Sequence, residues 1–297
     1  MHIRLLAASL AASCSLLGLP AQAQSADTLA KIQSSGVIRL GGRDTSFPFS
    51  YNAGTGDPIG FSADLCAKVV EAVKAKLNMP ALKVQYTIVT PSNRIPLVQN
   101  GTIDLECGTT TNTVERQQQV DFAPTHFVAG VGVAVKKNSG IASLADIEGK
   151  TIATVAGSTS IQLLRAYRRS EKADISEVSG KDTAETFLLL SGGRASAMIL
   201  DDVQLAGLIA TSVNPGDYVI LKERLRHEPY GFTFRKNDAQ FKALVDQTLT
   251  RLMKSGEINE LYGKWFTRPV PPRNVNLQFP ITDAVRDAYA NPNNKGV

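Results

Sequence analysis

Residues 90–116 of this 297-residue chain, TPSNRIPLVQNGTIDLECGTTTNTVER, carry hydroxyl, amide and guanidinium groups at structurally meaningful intervals. Ser92 is expected to cap a helix over residues 95–98, after which an Asn-Gly pair turns the chain into a strand through residues 103–105. The strand leads into the turn CGTTT, whose hydroxyl and N–H groups are suited to hydrogen-bond a small charged molecule. We therefore expect a ligand site at this turn.

Arg116 follows a signal for a helix N-terminus. The residues before it, NTVE at 112–115, are close to a capping box with Asn112 as the N-cap and Glu115 at N3, so a helix should begin near Thr113. The helix dipole favours acidic side chains in a first turn, so an arginine there needs a reason. Arg116 either extends to solvent or pairs with Glu115, or it joins the N–H groups and threonine hydroxyls in holding a carboxylate. The local pattern favours the carboxylate site.

Another guanidinium follows the first predicted strand, residues 37–40. The sequence GGRD at 41–44 places Arg43 and Asp44 just past the C-terminal end of this strand. Ligands bind at that edge in open α/β sheets. A surface salt bridge between Arg43 and Asp44 fits the spacing equally well, so both interpretations stay open.

A second polar turn lies further along the chain. Residues 151–156 are predicted as a strand, and GSTS at 157–160 then leads into a helix. The N-terminus of that helix, with Ser158 and Thr159, is a second candidate anion site.

An acidic pair follows a third strand. Residues 197–200 form an unbroken apolar run, typical of a buried parallel strand, which ends on Asp201-Asp202. The pair could cap the next helix. It could also hold an ammonium group, and the similar strand-end site in the first half of the chain supports that interpretation.

These groups need alternating strands and helices to position them, which indicates an α/β fold with doubly wound sheets. Two segments, 128–135 and 219–234, are predicted as long strands that carry the chain from one lobe to the other and back. We therefore expect one lobe from residues 24–128 and 226–297, and a second from residues 129–225. The other predicted elements are helices at 24–35, 61–77 and 239–252 and a strand at 82–88 with one better buried face.

The composition is that of a soluble globular protein, with 43% hydrophobic and 20% charged residues. The net charge is +5, but the basic residues are scattered, whereas nucleic-acid binding would require a clustered stripe. At the N-terminus, His2 and Arg4 precede an apolar run and an A-x-A motif, so residues 1–23 are predicted to be a signal peptide cleaved before Gln24. Cys14 as a lipid anchor is the weaker alternative, because the residues before it form a poor lipobox.

Two cysteines remain in the mature chain, Cys66 and Cys107. The sequence spacing is compatible with two separately buried thiols or with a disulfide. An oxidising compartment without a competing third cysteine favours the disulfide.

Several kinds of catalytic or cofactor site are excluded by the pattern of residues. The mature chain has only His126 and His227 as histidines, and it lacks the G-x-S-x-G, H-E-x-x-H and C-x-x-C motifs. The glycines at 130–132 lack the third glycine of a dinucleotide fingerprint, and Leu144 stands where a P-loop needs its first glycine. The sequence thus favours a binding protein without metal or cofactor.

Five ordered segments resemble the periplasmic solute-binding proteins of bacterial amino-acid ABC importers, and within them the glutamate/aspartate-binding group. The segments are GGRDTSFPFSY, PSNRIPLVQNGTIDLECGTTTNTVERQ, SLADIEGKTIATVAGSTS, MILDDVQLAG and WFTRPVPPRNVNLQF. The resemblance implies a type II two-lobed periplasmic binding protein fold with a two-strand hinge. It also implies a monomer that binds an acidic L-amino acid and passes it to an inner-membrane permease.

The resemblance also implies roles for single residues. Thr111 and Arg116 match positions that hold the ligand α-carboxylate, and Asp201 matches the acid that holds the α-ammonium group.

Arg43 and Arg94 match the basic residues that face the side-chain carboxylate in the glutamate/aspartate group. Thr109 stands where a serine is common, Thr183 where a relative has histidine, and Pro91 where it has serine. These departures leave the preference between glutamate and aspartate open.

Two other functions are compatible with such a chain. The family resembles some periplasmic dehydratases of cyclic amino acids, so an exported cyclohexadienyl- or arogenate-type dehydratase is the main alternative. A ligand-sensing protein for a separate membrane receptor is the other.

Overall fold

The structure is a computed structural model that describes residues 27–54 and 56–297. The predicted signal peptide, its cleavage site and Cys14 lie outside these residues. Within them, no helix has the length and apolar character that a membrane crossing requires.

Helices begin and end close to the positions that the sequence predicts. The α2 stripe, for example, buries Phe61, Leu65, Val69 and Val73. The helices of the described residues are α1 Thr28–Ser35, α2 Phe61–Leu77, α3 Arg94–Gln99, α4 Val114–Gln117, α5 Thr159–Ser170, α6 Thr183–Ser191, α7 Asp202–Ala210, α8 Ala239–Ser255, α9 Glu257–Tyr262 and α10 Asp283–Ala290, with a π-helical turn at Gly263–Thr267 and 3₁₀ turns at Lys137–Ser139, Ala145–Ile147 and Pro215–Asp217.

The strands fall into two main sheets and a small hairpin. They are β1 Val37–Gly42, β2 Thr45–Ser46, β3 Ser50–Tyr51, β4 Lys83–Ile88, β5 Leu105–Glu106, β6 Asp121–Phe122, β7 Phe127–Lys136, β8 Thr151–Val155, β9 Ser176–Gly180, β10 Ala197–Asp201, β11 Tyr218–Ile220, β12 His227–Tyr230 and β13 Thr233–Phe234.

The first sheet has the order β4-β1-β5-β13-β6, and the second the order β11-β7-β10-β8-β9. In the first sheet β1 pairs in parallel with β4 and β5, while β13 is antiparallel to its neighbours. In the second, β8 is parallel to β9 and β10, while β7 is antiparallel to β10 and β11. All these antiparallel pairings involve β13 in the first sheet or β7 in the second, so the other strands of each sheet run in one direction, and the predicted α/β fold with two largely parallel sheets is confirmed.

Strand β7 connects the two sheets and is packed into the core of each. Phe127 at its start meets the ring of Phe49 edge-on, with centroids 4.9 Å apart, in the core of the first sheet. Val131, Val133 and Val135 pack in the core of the second sheet. Strand β12 returns antiparallel beside the start of β7, with His227 opposite Gly130. These two strands therefore carry the chain between the sheets, and the boundaries predicted near residues 128 and 226 lie on or beside them.

The predicted single strand over residues 219–234 is wrong. The segment instead forms β11, β12 and β13, separated by a loop and by the two residues Gly231 and Phe232. The guanidinium of Arg224 organises the loop, because its Nη1 donates to the carbonyl oxygens of Leu221, Lys222 and Glu223. Those carbonyl groups face the arginine and not a neighbouring strand.

Two further local predictions fail. Strand β4 has no well-buried face, because it lies at the sheet edge and pairs with β1 alone; Val84 is 39% and Ile88 48% exposed. Ser92 is not the cap of α3, whose N-cap residue is Asn93. The Ser92 hydroxyl donates instead to the carbonyl oxygen of Ala156, which follows β8 of the other sheet, at 3.0 Å.

Cys66 of α2 and Cys107 after β5 are joined by a disulfide in the structure, with their Cα atoms 6.0 Å apart. Both residues are fully buried. The disulfide links α2 to the residues that lead into the threonine-rich turn. It therefore restrains the position of that turn.

Candidate functional site

The polar strand ends of the two sheets meet across one cleft. Strands β1 and β5 reach it from the first sheet, and β8 and β10 from the second. About 290 Å³ of the cleft is not occupied by protein atoms, and part of this space opens to solvent. The cleft is lined by Arg43, Pro91, Arg94, Thr109, Thr111, Val155, Ser158, Thr159, Thr183, Leu200, Asp201 and Gln204.

Eight of the nine ligand-binding residues predicted from the sequence therefore line the same cleft. The ninth, Arg116, lies beside it and is 8% exposed. Its Nη1 donates to the Thr111 carbonyl oxygen at 2.9 Å, and its Nη2 to the Gly157 carbonyl oxygen at 3.1 Å. Arg116 thus connects the turns that follow β5 and β8.

Local structure explains the position of Arg116. Thr113 is the N-cap of α4, and its hydroxyl accepts from the backbone N–H of Arg116 at 3.1 Å. Glu115 is not the N3 residue, since the cap lies one residue later than predicted. The backbone N–H of Thr111 donates to no acceptor in the described part of the chain, so it is free to bind a ligand.

Arg43 and Arg94 are buried charges without enough partners. They are 2% and 3% exposed, and Nη2 of Arg43 and Nε and Nη1 of Arg94 find no hydrogen-bond partner among the described residues. Burial, together with repulsion from Arg94, lowers the pKa of Arg43 to about 10; burial also lowers the pKa of Arg94. A guanidinium group stays protonated at neutral pH in proteins, so an anion between the two arginines would relieve an unfavourable arrangement.

Glu106 provides part of the compensating charge and was missed in the sequence. It is fully buried at the end of β5, where its Oε2 accepts from the Thr110 hydroxyl at 2.7 Å. Its negative charge opposes the lowering of the pKa of both Arg43 and Arg94. One carboxylate beside two guanidinium groups leaves a net positive charge at this end of the cleft.

Asp201 gives the cleft a negative opposite end. Its Oδ2 accepts from Nε2 of Gln204 at 2.8 Å, while its buried Oδ1 has no partner among residues 27–54 and 56–297. Burial and, to a lesser extent, the negative charge of the nearby Glu228 raise the pKa of Asp201 to about 7. A cation that donates to Oδ1 would favour the ionised carboxylate.

Glu228 is the other carboxylate that sequence reasoning missed, because the residue falls within the segment predicted as a strand. It is fully buried on β12. Its Oε2 accepts from the hydroxyls of Thr111 and Thr159, each at 2.6 Å, and its Oε1 accepts from the guanidinium of Arg226.

Direct contacts join the two sides of the cleft. The Thr183 hydroxyl donates to the Thr45 carbonyl oxygen at 2.8 Å, and Ser92 donates to Ala156 as described above. A Cβ atom on Gly157 would lie 2.7 Å from the Ser92 Cα atom, so only a glycine permits this approach. The structure is therefore a closed arrangement of the two sheets.

The part of the chain that the structure describes contains no cluster of metal-binding side chains. No three His, Cys, Asp or Glu side chains come together there as a metal site would require. The cleft instead combines a cationic end, an anionic end and hydroxyl groups, which suits a zwitterion with an additional negative charge.

Comparison with known proteins agrees with this description. The profile of the family described as bacterial extracellular solute-binding proteins, family 3, matches residues 38–268. The L-glutamate/L-aspartate-binding protein of Pseudomonas aeruginosa is 48% identical over 270 residues, covering 90% of this chain and 89% of that protein. The glutamate/aspartate import solute-binding protein of Escherichia coli is 41% identical, covering 91% of this chain and 89% of that protein.

Solved structures with the same architecture include a cysteine-binding protein of Campylobacter jejuni, with a TM-score of 0.70 and 27% identity over 81% of this chain and 93% of that one. Another is an ancestral amino-acid-binding protein described as a precursor of cyclohexadienyl dehydratase. Its TM-score is also 0.70, with 29% identity over 81% of this chain and 100% of that one.

Proposed function

The chain belongs to family 3 of the bacterial extracellular solute-binding proteins, and we propose that it binds L-glutamate or L-aspartate for an ABC importer. The amino acid is enclosed in the cleft between the two sheets and delivered to a permease in the inner membrane. The similarity to binding proteins of P. aeruginosa and E. coli with this specificity supports the proposal.

The observation that carries the acidic specificity is the pair of buried, under-compensated guanidinium groups of Arg43 and Arg94. An isolated buried cation is unfavourable unless it is paired and hydrogen-bonded. The side-chain carboxylate of glutamate or aspartate offers two acceptor oxygens to these groups, whereas an amide offers one acceptor and two unwanted donors. Thr109 and the hydroxyl of Ser158, which is buried and unpaired among the described residues, add donors at the cleft wall.

The backbone of the amino acid fits the other polar groups. Asp201 Oδ1 would accept from the α-ammonium group. The α-carboxylate would meet the free N–H of Thr111 and the N-terminus of α5 at Thr159, with the positive charge of Arg116 beside it. Burial lowers the pKa of Arg116 to about 10, so this side chain also stays cationic at neutral pH.

Thr183 contributes to closure of the cleft. Its hydroxyl donates to Thr45, so on this proposal it closes the cleft beside the ligand side chain. The threonine is shorter than the histidine that the family resemblance implies for a relative at this position, which leaves room for glutamate.

Transport requires the cleft to open and close. We assign the hinge to β7 and β12, with residues 24–128 and 226–297 in one lobe and 129–225 in the other. The protein would act as a periplasmic monomer after removal of residues 1–23, and the closed state would be the form that the permease recognises.

One alternative has a specific observation in its favour, the similarity to an ancestral binding protein described as a dehydratase precursor. A cyclohexadienyl- or arogenate-type dehydratase would convert its substrate into an aromatic product. Incubation with prephenate and arogenate, followed by absorbance, distinguishes the two functions. The binding function predicts no product formation. A sensory role would need the same ligand but a receptor in place of the permease.

The proposed function is tested by calorimetric titration of ligand-free protein against the twenty amino acids, after unfolding and refolding to remove bound ligand. Tight binding of L-glutamate or L-aspartate, with weak or absent binding of the others, supports it. Preference for a basic or an aliphatic amino acid refutes it.

A further inference from the structure

Glu228 is buried in the cleft wall without contacting the space in the cleft directly, and it connects groups from both sides. Thr111 belongs to the turn after β5 of the first sheet. Thr159 is the first residue of α5, which follows β8 of the second sheet. Both hydroxyls donate to the same oxygen of Glu228, at 2.6 Å. Glu228 itself lies on β12, one of the two strands that join the sheets.

The direction of these hydrogen bonds determines what the two hydroxyls can do for a ligand. A threonine hydroxyl has one proton, and here each proton is committed to Glu228. The two hydroxyl oxygens are 3.4 Å apart, but neither has a proton left to donate to the other. Towards the cleft both oxygens therefore present only lone pairs, which can accept but cannot donate.

From this geometry we infer that Glu228 is a positioning residue, which makes the Thr111 and Thr159 hydroxyls acceptors for the α-ammonium group of the ligand. The inference rests on the proposed amino-acid binding and adds a reason why the cleft requires an amine. A ligand with a carbonyl oxygen at the same carbon would bring oxygen lone pairs against oxygen lone pairs, and a hydroxyl group could donate to only one of the acceptors.

Electrostatics near Asp201 supports the same conclusion. Asp201, whose Oδ1 has no hydrogen-bond partner among the described residues, also lines the cleft, and the negative charge of Glu228 contributes to the raised pKa of Asp201. Two carboxylates close enough to affect each other favour a cation between or beside them. The ammonium subsite then consists of one charged acceptor and two hydroxyl acceptors, which matches the three N–H donors of an ammonium group.

Glu228→Gln reverses the direction of these bonds with almost no change in shape. Arg226 donates to Oε1 of Glu228, so the glutamine oxygen is held on the Arg226 side. The amide NH₂ then faces the two threonines and donates to their oxygens. The hydroxyl protons turn towards the cleft, where they oppose an ammonium group and suit an acceptor.

The test compares L-glutamate with 2-oxoglutarate, which has the same carbon chain and both carboxylates but a carbonyl oxygen in place of the ammonium group. Calorimetry measures the dissociation constants of both ligands for the parent protein and for Glu228→Gln. We expect glutamate to bind the variant on the order of 10- to 100-fold more weakly, the effect of one or two hydrogen bonds to a charged group. Binding of 2-oxoglutarate should be unchanged or stronger. An equal loss for both ligands, as a purely structural role would produce, overturns the inference.

Asp104→Asn is the matched control, because Asp104 is also a fully buried carboxylate but binds Lys31 and the backbone of Arg39, away from the cleft. It should not change the ratio of the two dissociation constants. A control that shifts this ratio as far as Glu228→Gln would also refute the inference.

Thr159→Val provides a second route if Glu228→Gln does not fold. Removal of one acceptor should weaken the binding of glutamate and leave the binding of 2-oxoglutarate unchanged. A parallel loss of both ligands contradicts the inference. If the parent protein prefers another amino acid, the proposed specificity for acidic amino acids is wrong. The role of Glu228 is then tested by comparing that amino acid with its own 2-oxo acid. If no amino acid binds, both proposals fail.

Discussion

Gly207 of α7 lies so close to Phe47 that a Cβ atom on the glycine would be 2.8 Å from the Phe47 carbonyl oxygen. Phe47 belongs to the hairpin between β2 and β3, whereas α7 follows β10 of the second sheet. The contact therefore exists only while the two sides of the cleft are closed. Gly157 and Ser92 make a similar approach at the turn after β8.

Gly207→Ala should impair closure without impairing folding. Alanine favours a helix interior by about 1 kcal/mol over glycine, so the variant should be at least as stable as the parent. Its methyl group separates α7 from Phe47, and we expect binding roughly tenfold weaker through faster dissociation, which stopped-flow fluorescence measures. Gly216→Ala is the control, because a Cβ atom there meets nothing within 4 Å. Parent-like dissociation from Gly207→Ala would show that this contact does not limit closure.

Asp201 should make ligand binding depend on pH. Burial and Glu228 raise the pKa of Asp201 to about 7, and an ammonium group binds the ionised carboxylate. Affinity should therefore fall as the pH drops below about 7, approaching tenfold per pH unit, and binding near pH 6.5 should release a proton. In the ligand-free protein the same shift stabilises the fold at low pH, and this contribution is lost as the pH rises from about 3.8 to about 7.

Calorimetry in buffers of different ionisation enthalpy measures the proton release directly. Asp201→Asn should bind weakly at every pH and release no proton. A parent protein with the same affinity at pH 5.5 and pH 8 would refute the assignment of Asp201 to the ammonium group.

His126 should sensitise the fold to acid. It is fully buried beside Phe232, and neither ring nitrogen has a hydrogen-bond partner among the described residues. Burial lowers its pKa from 6.5 to about 3, so the unfolded chain takes up a proton that the folded protein excludes. Stability is then lost as the pH falls from about 6.5 towards 3, by up to about 1.4 kcal/mol per pH unit. Urea unfolding of His126→Leu between pH 4 and 7 should show a shallower loss, whereas His227→Gln, at an exposed position, should behave as the parent.

Cys66 and Cys107 should be oxidised in protein isolated from the periplasm. Alkylation without reductant, followed by mass measurement, is expected to add no label to the denatured protein. The disulfide closes a sequence separation of 41 residues, for which the loss of chain entropy predicts a contribution of ~4 kcal/mol to stability. Two labelled thiols would show that the cysteines are separate, and an unchanged melting temperature after reduction would show that the bond adds little.

The sequence predicts the cleft well because each contributing segment carries a local signal. Arg43 and Asp201 follow apolar runs that are typical of strands, and Ser158 lies in a strand-to-helix turn. Strand ends in an α/β fold converge on one edge, so local patterns are sufficient to place these groups together.

The missed residues depend on contacts between distant segments. Glu106 and Glu228 look like ordinary polar positions, and only their neighbours from other elements explain why charged side chains are buried there. The pairing of Ser92 with Ala156 likewise joins segments 64 residues apart, and it competes with the local capping role that the sequence suggests. Helix α10 was not predicted because its apolar side chains are few and follow a proline-rich stretch.

The central claim is that Arg43 and Arg94 select a ligand by the charge of its side chain. Arg94→Met removes one of the two guanidinium groups, and Arg165→Met, at an exposed position of α5, provides a control of the same chemical change. Because methionine has no buried charge to compensate, the ligand-free Arg94→Met protein should also melt at a higher temperature.

The most direct measurement is calorimetric titration of the ligand-free parent protein with L-glutamate and with L-glutamine, which have nearly the same shape. We predict that glutamate binds on the order of 100-fold more tightly, because the amide leaves a buried guanidinium group under-compensated. In Arg94→Met this ratio should collapse, and in Arg165→Met it should be unchanged. A parent protein that binds glutamine as tightly as glutamate would contradict the claim.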